Sequence, residues 1–168
     1  MTTNPEIRPA RPADADAIAA IYNQGIAERS ATFETEPRSR AAMAARIADA
    51  GHPLLVVCDH SGQILGWAGL SAYRERACYA GIAEFSIYLE RDARGRGLGR
   101  QLLAALIDLA RRSGRTKLVS RVFPTNLASR SLCRAAGFRE VGVYEKHARL
   151  DGRWLDVVIV ERLIEENL

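Results

Sequence analysis

Two rhythms of apolar side chains alternate along the chain, one close to 3.6 residues and one of two, and their order predicts an α/β domain. After a short extended start at Ile7, the side chains Ile18, Ile21, Tyr22 and Ile26 fall at helical spacing, and Arg11-Pro12 puts a proline where a first helical turn tolerates it. The polar stretch from Glu28 to Pro37, with an isolated Phe33, reads as a loop. The alanine-rich stretch from Ser39 to Ala50 reads as a second helix ended by Gly51. Leu54 to Cys58 and Ile64 to Leu70 are β-rich runs on either side of the turn cluster Asp59-His60-Ser61-Gly62, which makes a hairpin.

The run from Ala83 to Leu89 alternates as a strand does. Glu84, Ser86 and Tyr88 point one way, and Ala83, Phe85, Ile87 and Leu89 the other. It leads into Arg94-Gly95-Arg96-Gly97-Leu98-Gly99, which opens an amphipathic helix through Leu102, Leu106 and Leu109, with Gly114 as its stop. Leu118 to Val122 reads as a strand and Asn126 to Ala136 as a helix closed by Gly137. Val141 to Tyr144 and Trp154 to Leu163 read as late strands around an Asp151-Gly152 turn. Tyr73 to Gly81, which contains Arg74, Glu75 and Arg76, has no clear period. With no repeat, low-complexity tract or linker, residues 1–168 are expected to form a single domain.

Composition narrows the functional classes. At 48% hydrophobic and 26% charged residues, the chain is expected to fold around a packed core. No apolar run approaches the roughly 18 residues that cross a bilayer, and Met1-Thr2-Thr3-Asn4-Pro5 lacks a basic-then-apolar leader, so a cytoplasmic location is expected. Cys58, Cys78 and Cys133 are odd in number and widely spaced, which argues against a disulfide framework or a zinc site. The net charge of +4 is spread among interspersed acids and bases, without the aromatic-interleaved basic face of a nucleic-acid binder. Only Lys117 and Lys146 are lysines, so the positive charge is almost all arginine, whose planar fork suits phosphate and carboxylate ligands.

The chemistry concentrates at the glycine-rich turn. A strand feeding such a turn and then a helix N-terminus gathers backbone N–H groups and the positive end of the helix dipole around an anion. The turn does not follow G-x-G-x-x-G, because Arg100 holds the final glycine position, and the chain contains no G-x-x-x-x-G-K-S/T. Arg91, Arg94, Arg96 and Arg100 crowd it with only Asp92 as a local acid, a repulsion that an anionic ligand would relieve.

The segment Arg94-x-x-Gly97-x-Gly99, preceded by a strand and followed by an amphipathic helix, resembles the Arg/Gln-x-x-G-x-Gly/Ala signature of the GCN5-related N-acetyltransferases (GNAT). Asn126, the helix Ser129-x-x-Leu132 and its end Ala136-Gly137-Phe138 resemble that family's next cofactor-contacting element, so the likeness spans most of the chain. It implies the GNAT fold: a mixed, mostly antiparallel central sheet with helices on both faces and a V-shaped splay between two central parallel strands. It implies acetyl-CoA as co-substrate and no metal. By the resemblance, Arg94, Gly95, Arg96, Gly97, Leu98, Gly99 and Arg100 hold the pyrophosphate, Ile87, Tyr88 and Leu89 pair with the pantetheine arm, and Asn126 also touches the cofactor. Asn126 is equally a natural helix N-cap.

Ile21-Tyr22-Asn23, Phe33-x-Thr35-Glu36-Pro37, Ala83-Glu84-x-Ser86-x-Tyr88 and Gly152-Arg153-Trp154-Leu155-Asp156-Val157 are similar to a narrower branch, which acetylates phosphinothricin, arsinothricin and methionine sulfoximine. The branch implies a homodimer, a small amino-acid-like substrate and a role in resistance to such compounds. Arg74 and Arg76 match its substrate loop, with Phe33 and Tyr73 as pocket walls, and Glu84 matches its general base. A base is required because an α-ammonium has no lone pair until a proton leaves. Cys133 stands where many family members carry a tyrosine acid, which leaves the general acid open, and His147, Trp154 and Asp156 are weaker candidates for the site. The rivals are the same transfer to a protein N-terminus, polyamine or aminoglycoside, and a module that binds acyl-CoA without chemistry.

Overall fold

The computed structural model describes residues 4–168. Seven strands form one sheet in the order β1-β2-β3-β4-β5-β7-β6. They are β1 (Glu6–Pro9), β2 (Leu54–Cys58), β3 (Ile64–Ala72), β4 (Ile82–Leu89), β5 (Lys117–Val122), β6 (Arg139–Leu150) and β7 (Arg153–Leu163). Helices α1 (Ala15–Glu28), α2 (Arg40–Ala48), α3 (Leu98–Arg112) and α4 (Leu127–Ala135) complete it. Every neighbouring pair is antiparallel except β4 and β5, the parallel pair that the intervening α3 connection makes feasible.

The two faces of β4 separate as its alternation requires. Ala83 and Phe85, with Ile87 and Leu89 packed alongside, face the core built on Leu102, Leu103 and Leu106 of α3. Tyr88 faces the opposite layer, where Ile18 and Ile21 of α1 and Met43 of α2 cover Val56 and Trp67. Helices therefore lie on both sides of the sheet. The approach of α1 to β4 is close: a Cβ on Gly25 would come within 2.9 Å of the Tyr88 ring, so only glycine fits there.

Two elements depart from the pattern reading. Helix α2 starts after Ser39, whose hydroxyl caps it by accepting from Ala42 N–H at 3.1 Å, and it stops at Ala48. Asp49 turns to extended backbone and accepts from Gly51 N–H, so a local carboxylate turn ends the helix ahead of the glycine. The strand expected over 141–144 lies in the first half of a twelve-residue β6. Nearly all of its side chains are exposed, so no alternation betrays it, and β7 stabilises it through backbone pairing interrupted by two register shifts.

Candidate active site

Strands β4 and β5 pair over only three positions, Ile82–Glu84 against Lys117–Val119, and then part. The last bridge is the Ser120 hydroxyl donating to the Phe85 carbonyl at 3.1 Å. The register between β3 and β4 is unbroken from Ala83 to Leu89, so alternation holds along the edge. Gly81 C=O accepts from Thr116 N–H and Phe85 C=O from Ser120, which places the odd-numbered backbone groups on the β5 side. The peptide groups of Ile87 and the Leu89 N–H therefore meet an open cleft, while the Leu89 carbonyl accepts from Arg94, and an extended ligand arm can add along this edge as a strand would.

Below this edge lies a cavity of about 230 Å³, lined by Ile87, Tyr88, Leu89, Arg94, Gly95, Gly99, Asn126 and Ser129, with Glu28 at its side. Gly95 and Gly97 have φ of 75° and 79°, the left-handed region that disfavours a side chain. Gly97 caps α3 with no side-chain acceptor for its first-turn N–H groups. An uncapped helix N-terminus beside Arg94 and a free strand edge is a chemical fit for the pyrophosphate and pantetheine of acetyl-CoA. Arg96, Gly97, Leu98 and Arg100 do not line this cavity: Arg96 donates to the Asp92 carbonyl, Leu98 is buried in the core, and Arg100 is exposed.

The arginine cluster is not left without an acid, contrary to the local reading. Glu28 at the end of α1 takes Arg91 at 3.0 Å and Arg94 at 2.9 Å. Burial alone would push the Glu28 carboxyl up, but the hydrogen bonds from Arg94 and Arg91 outweigh it and hold it below its usual range. Gln24, one helical turn earlier, accepts from Arg91 N–H and donates to Glu90. Only the folded chain brings these partners across more than sixty residues.

A second cavity, of about 300 Å³, opens where the strands part and shares Ala31, Ile87, Tyr88, Asn126, Ser129 and Leu132 with the first, so the two form one groove. Glu84, Phe33 and Cys133 line it, together with Tyr22, Thr32, Glu34, Ser120, Arg121 and Phe123. Glu84 is ion-paired with Arg121 of β5. Glu34 is held by Arg38 at 2.8 Å. The loop that carries Phe33 and Glu34 is pinned by Asn23, which donates to Arg38 C=O and accepts from Arg38 N–H, and by the Arg29–Asp151 ion pair. Burial among Tyr22 and Trp67 pushes the Tyr88 phenol up, and burial pushes the Cys133 thiol up to about 11.

Other expected residues fall outside the groove. Tyr73 packs edge-on against Tyr79 with Arg74 over its ring, and Arg74 and Arg76 are exposed on the loop before β4. None of the three lines the cavity that holds Glu84. Of the weaker candidates, Trp154 is half exposed beneath Arg149, His147 packs on Tyr144, and Asp156 accepts from Lys146 N–H. Asn126 is a helix cap, accepting from Ser129 N–H at 3.2 Å, and it lines both cavities. No group of three or more His, Cys, Asp or Glu among the described residues is placed to hold a metal ion, and no described helix is long and apolar enough to cross a membrane.

The pattern of the acetyltransferase (GNAT) domain matches residues 6–139. The chain belongs to the GNAT acetyltransferases. It is similar to the L-methionine sulfoximine/L-methionine sulfone acetyltransferase of Pseudomonas aeruginosa, with 37% identity over 158 residues and 92% of each chain covered. Among solved structures it resembles a phosphinothricin acetyltransferase from Sinorhizobium meliloti in complex with acetyl-CoA, with a TM-score of 0.89, 34% identity, and 97% and 89% of the two chains covered. It also resembles a ribosomal-protein-alanine N-acetyltransferase from Brucella melitensis, with a TM-score of 0.90, 31% identity, and 95% and 99% covered. This GNAT chain is therefore an acetyl-CoA-dependent N-acetyltransferase.

Proposed function

We propose that this GNAT enzyme transfers acetyl from acetyl-CoA to the α-amine of a small free amino acid of the methionine sulfoximine or phosphinothricin type, and that it confers resistance to such compounds. The observation that carries the reading is the groove itself, in which a carboxylate, Glu84, faces the point where the cofactor channel opens between β4 and β5. The Pseudomonas and Sinorhizobium relatives are named for acceptors of this kind.

In this reading the α3 N-terminus and Arg94 hold the pyrophosphate, and the Ile87 and Leu89 peptide groups align the pantetheine arm. Their N–H groups, near Tyr88, polarise the thioester carbonyl as oxyanion donors do. Glu84 takes one proton from the acceptor ammonium, directly or through a water. The freed nitrogen pair forms the C–N bond while the C–S bond breaks and its pair leaves on sulfur; the second nitrogen proton ends on that sulfur. Cys133 is a poor donor for this last step. Its thiol, raised to about 11 by burial, holds its proton more tightly than a CoA thiol near about 8.5, so water is the proton carrier we assign.

We assign Phe33 as a wall of the acceptor site against Phe123, and keep Arg74 and Arg76, exposed on the loop before β4, as the candidates for the acceptor's second acidic group. One sheet holding all seven strands supports reading residues 1–168 as a single catalytic domain. Exposed Val141, Val143, Tyr144 and Trp154 on the β6–β7 hairpin favour a homodimer, for which sedimentation velocity should find a species of two chains. We place the enzyme in the cytoplasm, where acetyl-CoA is available to it.

The test is release of CoA thiol by purified protein across methionine sulfoximine, phosphinothricin, arsinothricin, a polyamine, an aminoglycoside and an alanine-starting peptide. Selective turnover of the first three is expected. Faster turnover of the peptide, the acceptor type of the Brucella relative, would move the enzyme to protein N-termini. Tight acetyl-CoA binding with no turnover on any amine would make the chain a sensor.

A further inference from the structure

Arg121 is the only lysine, arginine or histidine among the described residues that line the acceptor cavity, and it does not stand idle: it is ion-paired with Glu84. The two side chains come from different strands. Glu84 pairs in register with Val119, and Arg121 lies two residues further along β5, on the same face of the sheet. They meet where the strands separate. The cavity's other carboxylate, Glu34, is engaged by Arg38, so each acid in the cavity has its own cation. The Arg121 side chain is about half exposed, at 49%, whereas Glu84 is more enclosed at 24%.

We propose that the Glu84–Arg121 pair is a displaceable latch into which a zwitterionic acceptor inserts, making Arg121 the residue that selects substrates with a free α-carboxylate. The proposal rests on the reading of Glu84 as the base. An α-amino acid carries an ammonium and a carboxylate on one carbon, the mirror image of the carboxylate and guanidinium that face each other here. Insertion exchanges one ion pair for two: the ammonium meets Glu84, and the carboxylate takes the planar fork of Arg121, which suits bidentate contact. The same exchange places the proton to be removed against the base. An amine without a carboxylate gains only half of this, because it takes Glu84 and leaves Arg121 in the cavity without a counterion. Selection thus operates at the reacting end of the acceptor, whatever its far end carries.

The test compares kcat/KM for L-methionine sulfoximine with that for its carboxamide, which keeps the ammonium and lacks the carboxylate. Full-length wild type, Arg121→Gln and Arg121→Lys are measured, with acetyl-CoA affinity by calorimetry as the check on folding. The wild type is expected to prefer the carboxylate. In Arg121→Gln that preference falls by about 10- to 100-fold, the effect of losing a hydrogen bond to a charged group, and it falls mainly through KM. Arg121→Lys, which keeps the charge but not the fork, recovers part of it. A preference retained in Arg121→Gln, or equal losses on both compounds, would overturn the latch while leaving the assigned reaction in place. A wild type that acetylates only amines lacking a carboxylate would overturn the acceptor reading, and the latch with it.

Discussion

Replacing Glu84 with glutamine is expected to lower kcat/KM for the acceptor by about 10²- to 10⁴-fold, the range in which a positioned general base acts. The substitution keeps the shape but replaces the basic carboxylate with an amide whose oxygen is too weakly basic to take the ammonium proton. Glu84 lines the acceptor cavity and not the cavity below the β4 edge, so acetyl-CoA affinity should stay at its wild-type value by calorimetry. The split between these two readouts is what identifies a base. Steady-state thiol release at saturating acetyl-CoA measures the loss; full turnover by Glu84→Gln would instead point to Glu34, the other carboxylate of the cavity, or to bulk water.

The second large effect is on stability. Leu106 on α3 is fully buried in the cluster that also holds Leu70, Phe85, Leu102 and Leu118. Leu106→Ala removes apolar surface and leaves a void that a sheet on one side and a helix on the other cannot collapse to fill, a cost of about 2–5 kcal/mol. For a chain of this length the melting temperature should fall by about 4–20 °C, followed by circular dichroism. Because α3 carries the N-terminus that we assign to the pyrophosphate, weaker acetyl-CoA binding should accompany the fall. A melting temperature unchanged within error would mean that the α3 packing relaxes freely, against the density expected of such a core.

Much of this architecture was legible in order of residues alone. The 3.6-residue rhythm of α1 and α3, the two-residue rhythm of β4 and the positive-φ glycines at 95 and 97 are local properties, set by backbone sterics and by which side chains must leave water. The strand–glycine turn–helix arrangement was legible for the same reason, since its three parts are contiguous in the chain. Strand β6 was only partly legible, because a strand that buries almost nothing carries no hydrophobic signature and exists by pairing with β7. The end of α2 was misplaced because the carboxylate of Asp49 competes for backbone groups before Gly51 is reached.

The candidate residues divide along the same line. Glu84, Phe33, Ile87, Tyr88, Leu89, Arg94, Gly95, Gly99 and Asn126 fall on the groove where a reading of motifs places them. Arg74, Arg76 and Tyr73 do not line it in one chain, and the residues that do include Arg121 and Glu34, neither in a motif pointing to that role, and Cys133, at the position where many family members carry a tyrosine acid. Glu28 closing on Arg91 and Arg94, and Arg121 closing on Glu84, join segments 63, 66 and 37 residues apart. The sequence by itself determined most of the elements, the glycine turn ahead of α3 and the face on which Glu84 lies, because each depends on neighbours within a few residues. The tertiary structure alone decided which charges neutralise one another and what lines the acceptor cavity: Coulomb attraction and packing act through space, and chain order leaves those distances open.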